Sequence, residues 1–138
     1  MITVELARSL AAGGVLWQPA PGDRFTIDQP NVLGEVFWIS HLTIDVHTFH
    51  GQPLLGFNGT TEWALDSVAL EDALWHPLES QLRDLLGGTF RRLERTGDGY
   101  EVSTVVLDAA ATWTGAEPAD AYARALLALV AASVEDEP

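Results

Sequence analysis

The sequence predicts an α+β fold, with an N-terminal helix, an antiparallel β-sheet built from hairpins, one middle helix, and a C-terminal helix packed on the sheet. The centre of the chain is rich in β-branched and aromatic residues that are interrupted by turn residues. Segments with helical periodicity lie before and after this centre. Because strands and helices do not alternate regularly, the order favours α+β over a doubly wound parallel sheet.

The first predicted element is a short helix near the N-terminus. Thr3 is a suitable N-cap, and Leu6 and Leu10 lie four residues apart on one face. The glycine pair at 13–14 ends the helix. A proline-containing segment at 17–23 follows, which predicts rigid extended chain closed by a turn.

The predicted strands occupy the centre of the chain. Their ranges are 24–27, 35–40, 41–49 and 54–57. The last two predict a hairpin, because alternating residues flank the turn residues at 50–53. The stretch 60–75 leaves two alternatives open: one helical turn followed by a loop, or a short strand that ends at Trp75.

The second half predicts a helix, a hairpin and a final helix. The middle helix is predicted to begin at His76-Pro77. Its apolar face is formed by four leucines, Leu78, Leu82, Leu85 and Leu86. Strong turn residues separate strands at 90–95 and 100–107, and a further short strand is predicted near Trp113. The helix at 118–134 ends in acids, which are unfavourable at a helix C-terminus, so we expect the tail at 135–138 to fray.

Composition restricts the functions open to this chain. The 138 residues predict a single domain spanning 1–138. There is no cysteine or lysine, which excludes disulfides, thiol and Schiff-base chemistry and the usual phosphate-binding loop of nucleotide-binding proteins. The formal net charge of −13 disfavours nucleic acid and anionic membrane as partners. Without a signal-like or membrane-spanning stretch, we expect a cytoplasmic protein.

A histidine-bearing strand is the first candidate site. His41, Asp45 and His47 project to one face of the predicted strand, and His50 follows in the turn. Imidazole and carboxylate ligands suit a divalent metal. Ligands two residues apart are about 7 Å apart along a strand, so other elements would have to complete the site. The favoured interpretation is therefore a half-buried strand with a polar outer face and no cofactor.

The second candidate is a loop that carries a tryptophan. Asn58, Glu62 and Trp63 are its candidate partner-binding residues, within a run of small polar residues and aromatics. Trp63 is the one of the five tryptophans that we expect to be exposed. The alternative, which we favour, is a turn followed by a helix start capped by Thr61.

Three arginines form the one basic cluster. On a regular strand, Arg91 and Arg95 share a face and Arg92 does not, with Glu94 beside Arg92. Cross-strand ion pairing is the favoured interpretation. An anion-binding site is the weaker alternative.

Three segments, at 17–23, 56–68 and 81–93, resemble a family of small uncharacterised actinobacterial proteins. Members of this family often carry the label "pilus assembly protein". The resemblance spans most of the chain and implies a link to pilus assembly, but it supplies no catalytic residues.

These features favour a non-catalytic acidic module that binds a protein partner or regulates it. The first alternative is a small metal-binding protein or enzyme that uses the histidine strand. The second alternative is a homo-oligomeric structural component. The sequence contains no catalytic motif that would favour an enzyme.

Overall fold

The computed structural model describes residues 1–30, 34–40, 44–49, 52–57 and 67–135. The described residues form three α-helices and three antiparallel sheets of three strands each. The predicted α+β class is confirmed. The chain forms two compact units, one comprising residues 1–16 and 77–138 and the other residues 17–76.

The predicted helices and strands follow one another in the expected order, with one additional strand. They are α1 (Val4–Ala12), β1 (Arg24–Ile27), β2 (Phe37–Trp38), β3 (Ile44–Phe49), β4 (Gln52–Phe57), β5 (Ser67–Ala69), β6 (Ala73–Trp75), α2 (Glu79–Leu86), β7 (Phe90–Arg95), β8 (Tyr100–Val106), β9 (Ala109–Gly115) and α3 (Pro118–Glu135). Short 3₁₀ turns at Leu70–Asp72 and Gly87–Thr89 connect β5 to β6 and α2 to β7.

Helix α1 begins as its sequence predicts. The Thr3 side chain accepts a hydrogen bond from the Leu6 amide at 3.2 Å, which satisfies one of the free N–H groups of the first turn. The Thr3 amide in turn donates to Oδ1 of Asp120 at 3.0 Å. Asp120 is buried in the first turn of α3, so this bond connects the two ends of the chain within the first unit.

The C-terminal helix packs on the sheet β7-β8-β9, as predicted. Tyr122 is fully buried, with its ring 5.5 Å from that of Phe90. Val102 on β8 is also fully buried. Helix α2 packs against α3, and Leu82 of α2 is fully buried in the first unit.

Strand β9 is longer than the short strand predicted near Trp113. It pairs with β8 along seven residues. The turn between them holds Leu107 and Asp108 at φ values of +49° and +67°. Two consecutive positive φ values are typical of the type I′ hairpin turn, which usually contains glycine or asparagine. Because Leu107 gives no such signal, the sequence did not indicate this hairpin.

The second unit contains the sheets β2-β1-β6 and β3-β4-β5. Its buried core consists of Phe25, Ile27, Ile39 and Leu55. The predicted hairpin is confirmed as β3 and β4, and the strand ending at Trp75 is confirmed as β6. Strand β5, which the sequence did not predict, precedes it.

Two strands differ in length from the prediction. Strand β2 is limited to two residues, because β1 pairs with it only through Arg24 and Phe25. Strand β4 begins earlier than predicted and includes Pro53. A proline is tolerated there because β5 pairs only with Leu54 to Gly56, so Pro53 lacks a ladder partner on that side.

Candidate functional site

The predicted metal ligands lie only partly within the described residues. Asp45 and His47 belong to β3, where they pair with Gly56 and Leu54 of β4. His41 and His50 lie outside the described residues. No group of three or more potential metal ligands occurs within the part of the chain that is described, and the metal site stays a prediction.

The predicted partner-binding loop also lies outside the described residues. This applies to Asn58, Glu62 and Trp63 alike. The same is true of residues 136–138 of the predicted tail, whereas Glu135, its first residue, is the last residue of α3. These predictions are neither confirmed nor contradicted.

Trp38 is the exposed tryptophan among the four that the structure describes. Its relative exposure is 55%. Trp17 and Trp75 are half-buried and stack on each other with ring centroids 6.3 Å apart. Trp113 is also half-buried and donates its indole N–H to Thr104 at 3.3 Å. Packing and hydrogen bonding therefore account for the other three, whereas Trp38 presents a large apolar side chain to solvent.

The position of Trp38 follows from strand alternation. Its neighbour Phe37 stacks on Phe25, and Ile39 is buried in the same core. Trp38 projects to the opposite face, where its backbone partner is Arg24 of β1. Because residues 36–39 are all apolar, the sequence shows no such alternation, and it indicated Trp63 rather than Trp38 as the exposed tryptophan.

The second unit is also strongly acidic. Residues 17–76 contain eight acids and a single base, Arg24, for a formal charge of −7. Asp28, Glu35, Glu71 and Asp72 are exposed. The Asp28 amide donates to the Asp72 carbonyl at 2.8 Å, so two of these acids are adjacent where β1 ends and β6 begins.

A second surface feature lies in the first unit, on the sheet β7-β8-β9. A groove of about 450 Å³ is lined by Arg91, Arg92, Ser103, Val105, Ala110 and Thr112, among others. The register between β7 and β8 shifts between Phe90 and Arg92, which places a β-bulge at Arg91. The bulge brings Arg91 and Arg92 to one groove, contrary to the regular alternation that the sequence predicts.

The ion pair in the arginine cluster also differs from the prediction. Arg92 Nη2 lies 3.3 Å from Glu94 Oε2 on the same strand, rather than across strands. Both side chains are more than half exposed, so this pair contributes little to stability.

No helix among the described residues is long and apolar enough to cross a membrane. Comparison of the chain with protein-family models, with curated proteins and with solved structures finds no match.

Proposed function

We propose that this protein is a non-catalytic module that binds a basic protein partner through the face of the second unit that carries Trp38. The observation that carries this proposal is an exposed tryptophan on a unit with eight acids and one base. Tryptophan is enriched among the residues that dominate binding energy at protein interfaces.

Charge defines the chemical class of this partner. The formal net charge of −13 repels phosphate backbones and anionic lipid surfaces, and it attracts basic protein surfaces over long distances. In this proposal the exposed acids of the second unit accelerate association with the partner. Trp38 becomes buried against the partner and contributes most of the apolar contact. Binding therefore weakens as salt screens the charges.

The resemblance to proteins labelled for pilus assembly supports a particular cellular location and a particular class of partner. In that setting the chain works in the cytoplasm and its partner is a basic component of the pilus machinery. This chain has no lysine for the usual phosphate-binding loop, so the proposal assigns it no nucleotide hydrolysis.

The direct test compares the wild-type chain with Trp38→Ala in a pull-down from lysate of the source organism, read by mass spectrometry. We expect the wild type to recover one basic partner in stoichiometric amount, and the variant to recover much less of that partner. With that partner purified, calorimetry should show a loss of affinity of about tenfold or more for Trp38→Ala. Circular dichroism verifies that the variant is folded.

Two further variants separate the apolar and the electrostatic contributions. Leu107→Ala is the matched control, because it removes a side chain that is 87% exposed and lies in the first unit. Glu35→Arg reverses an exposed charge three residues from Trp38 and should weaken binding more at low salt than at high salt. Equal recovery of the partner with Trp38→Ala and wild type, or a partner that is acidic, contradicts the proposal.

A further inference from the structure

The groove on the sheet β7-β8-β9 lies in the first unit and carries a different chemistry from the Trp38 face. We propose that this groove binds the phosphate group of a small molecule, or free phosphate. The shared chemistry is a tetrahedral oxyanion held by Arg91 and Arg92 together with the hydroxyls of Ser103 and Thr112.

The strand register places these groups together. Arg92 is opposite Ser103, and Ser103 is opposite Thr112, so the three residues form one row across the sheet. Residues directly opposite each other in an antiparallel sheet share a face. On β8 the residues flanking Ser103, Val102 and Thr104, are buried, so this row lies on the face turned away from the core.

The bulge adds the second positive charge. An extra residue at this point of β7 directs Arg91 as well as Arg92 to the groove. Arg91 Nη1 donates to the carbonyl oxygens of Gly88 and Phe90, which fixes the position of its guanidinium. The other nitrogens of Arg91, Nε and Nη2, carry further donors for a ligand.

The number of donors favours phosphate over carboxylate. A single guanidinium fork satisfies both oxygens of a carboxylate. Two guanidinium groups and two hydroxyls match the larger number of acceptor oxygens on a phosphate. The ion pair between Arg92 and Glu94 is largely exposed, so a ligand anion can replace Glu94 at little cost.

Charge and volume limit the size of this ligand. With a formal net charge of −13, the protein repels long polyanions more strongly than a small anion. The volume of about 450 Å³ falls within the range of small-molecule sites, roughly 300 to 1,000 Å³. A phosphorylated metabolite-sized molecule therefore fits better than a nucleic acid.

The test is an NMR titration of the full chain with sodium phosphate, sodium sulfate and sodium acetate at constant ionic strength. We expect saturable shifts of the Arg92, Ser103 and Thr112 amides with phosphate and sulfate, and much weaker ones with acetate. Glycerol 3-phosphate distinguishes a phosphorylated small molecule from free phosphate as the natural ligand. If it binds more tightly than inorganic phosphate, the ligand is a phosphorylated molecule. If the two bind equally, the ligand is free phosphate. Shifts no different from those with sodium chloride overturn the proposal.

Matched charge variants then locate the site. Arg92→Gln should weaken phosphate binding about tenfold, because it removes a charge-assisted hydrogen-bond donor. Arg95→Gln removes the same charge from the same strand, but Arg95 does not line the groove, so affinity should stay close to that of the wild type. An equal loss in both variants would mean that net charge, rather than the groove, determines binding, and would overturn the proposal.

Discussion

Gly115 lies at the end of β9, where the strand approaches the first turn of α3. A Cβ atom at this position would lie 2.6 Å from the Ala121 amide nitrogen and 2.8 Å from Cβ of Asp120. Such distances are too short for carbon atoms, and one of the two neighbours is backbone. The absence of a side chain at Gly115 therefore sets how closely strand and helix pack.

Gly115→Ala should destabilise the protein by about 1–3 kcal/mol, because an added methyl group forces the helix and strand apart. Gly97→Ala is the matched control, since nothing lies within 4 Å of a Cβ at that turn position. We expect its effect to stay below about 0.5 kcal/mol. Urea unfolding measures both values, and similar losses in the two variants would refute the role assigned to Gly115.

Single residues also show where sequence patterns were sufficient. The capping preference of threonine identifies the start of α1, whereas the apolar run at 36–39 does not reveal that Trp38 is exposed. The contact of Gly115 with α3 joins elements that lie close in sequence, but no local pattern encodes the distance between them.

Helix α2 shows how a single element divides its leucines between core and solvent. The sequence assigns Leu78, Leu82, Leu85 and Leu86 to one apolar face. In the structure Leu82 and Leu86 are buried, whereas Leu85 is 44% exposed. The pattern predicts the helix and its orientation, but the position of α3 decides how much of the stripe is covered.

Leu82→Ala should therefore lower the free energy of unfolding by about 2–5 kcal/mol, since it leaves a cavity at a fully buried position. Leu85→Ala makes the same chemical change on the same helix and should cost less than about 1 kcal/mol, because that side chain is partly solvated. Thermal and urea unfolding of both variants provide the measurement. A loss for Leu85→Ala as large as that for Leu82→Ala would contradict the burial of Leu82 and the exposure of Leu85.

The strand β7 shows the opposite case, in which an element departs from its own pattern. Regular alternation separates Arg91 from Arg92, and the bulge brings them to one groove. A bulge depends on the register with the partner strand, which a single strand's sequence does not encode. The groove could therefore not be predicted from the sequence.

At the scale of the whole molecule, the tryptophans are distributed unevenly between the two units. Four of the five, Trp17, Trp38, Trp63 and Trp75, belong to residues 17–76. Trp113 belongs to the first unit, which also contains the three α-helices of the described residues. Fluorescence and circular dichroism can therefore follow the two units separately in one chain.

The sequence predicts a single domain, and Trp113→Phe tests this prediction. In that variant all tryptophan fluorescence comes from residues 17–76, while the α-helices of the described residues, which dominate the helical circular dichroism signal, belong to the first unit. We expect the two urea transitions to coincide, because a single domain of this length unfolds cooperatively. Transitions with separate midpoints would mean that the two units are independent domains.

By itself, the sequence determined the α+β class, the order of the predicted helices and strands, and the acidic character of the protein. It did so because periodicity, capping, turn residues and charge are local properties. The tertiary structure alone decided the bulge at Arg91, the hairpin turn at Leu107 and the grouping of Arg91 with Ser103 and Thr112. These depend on pairing between strands, which is chosen by the packing of the whole sheet rather than by any one segment.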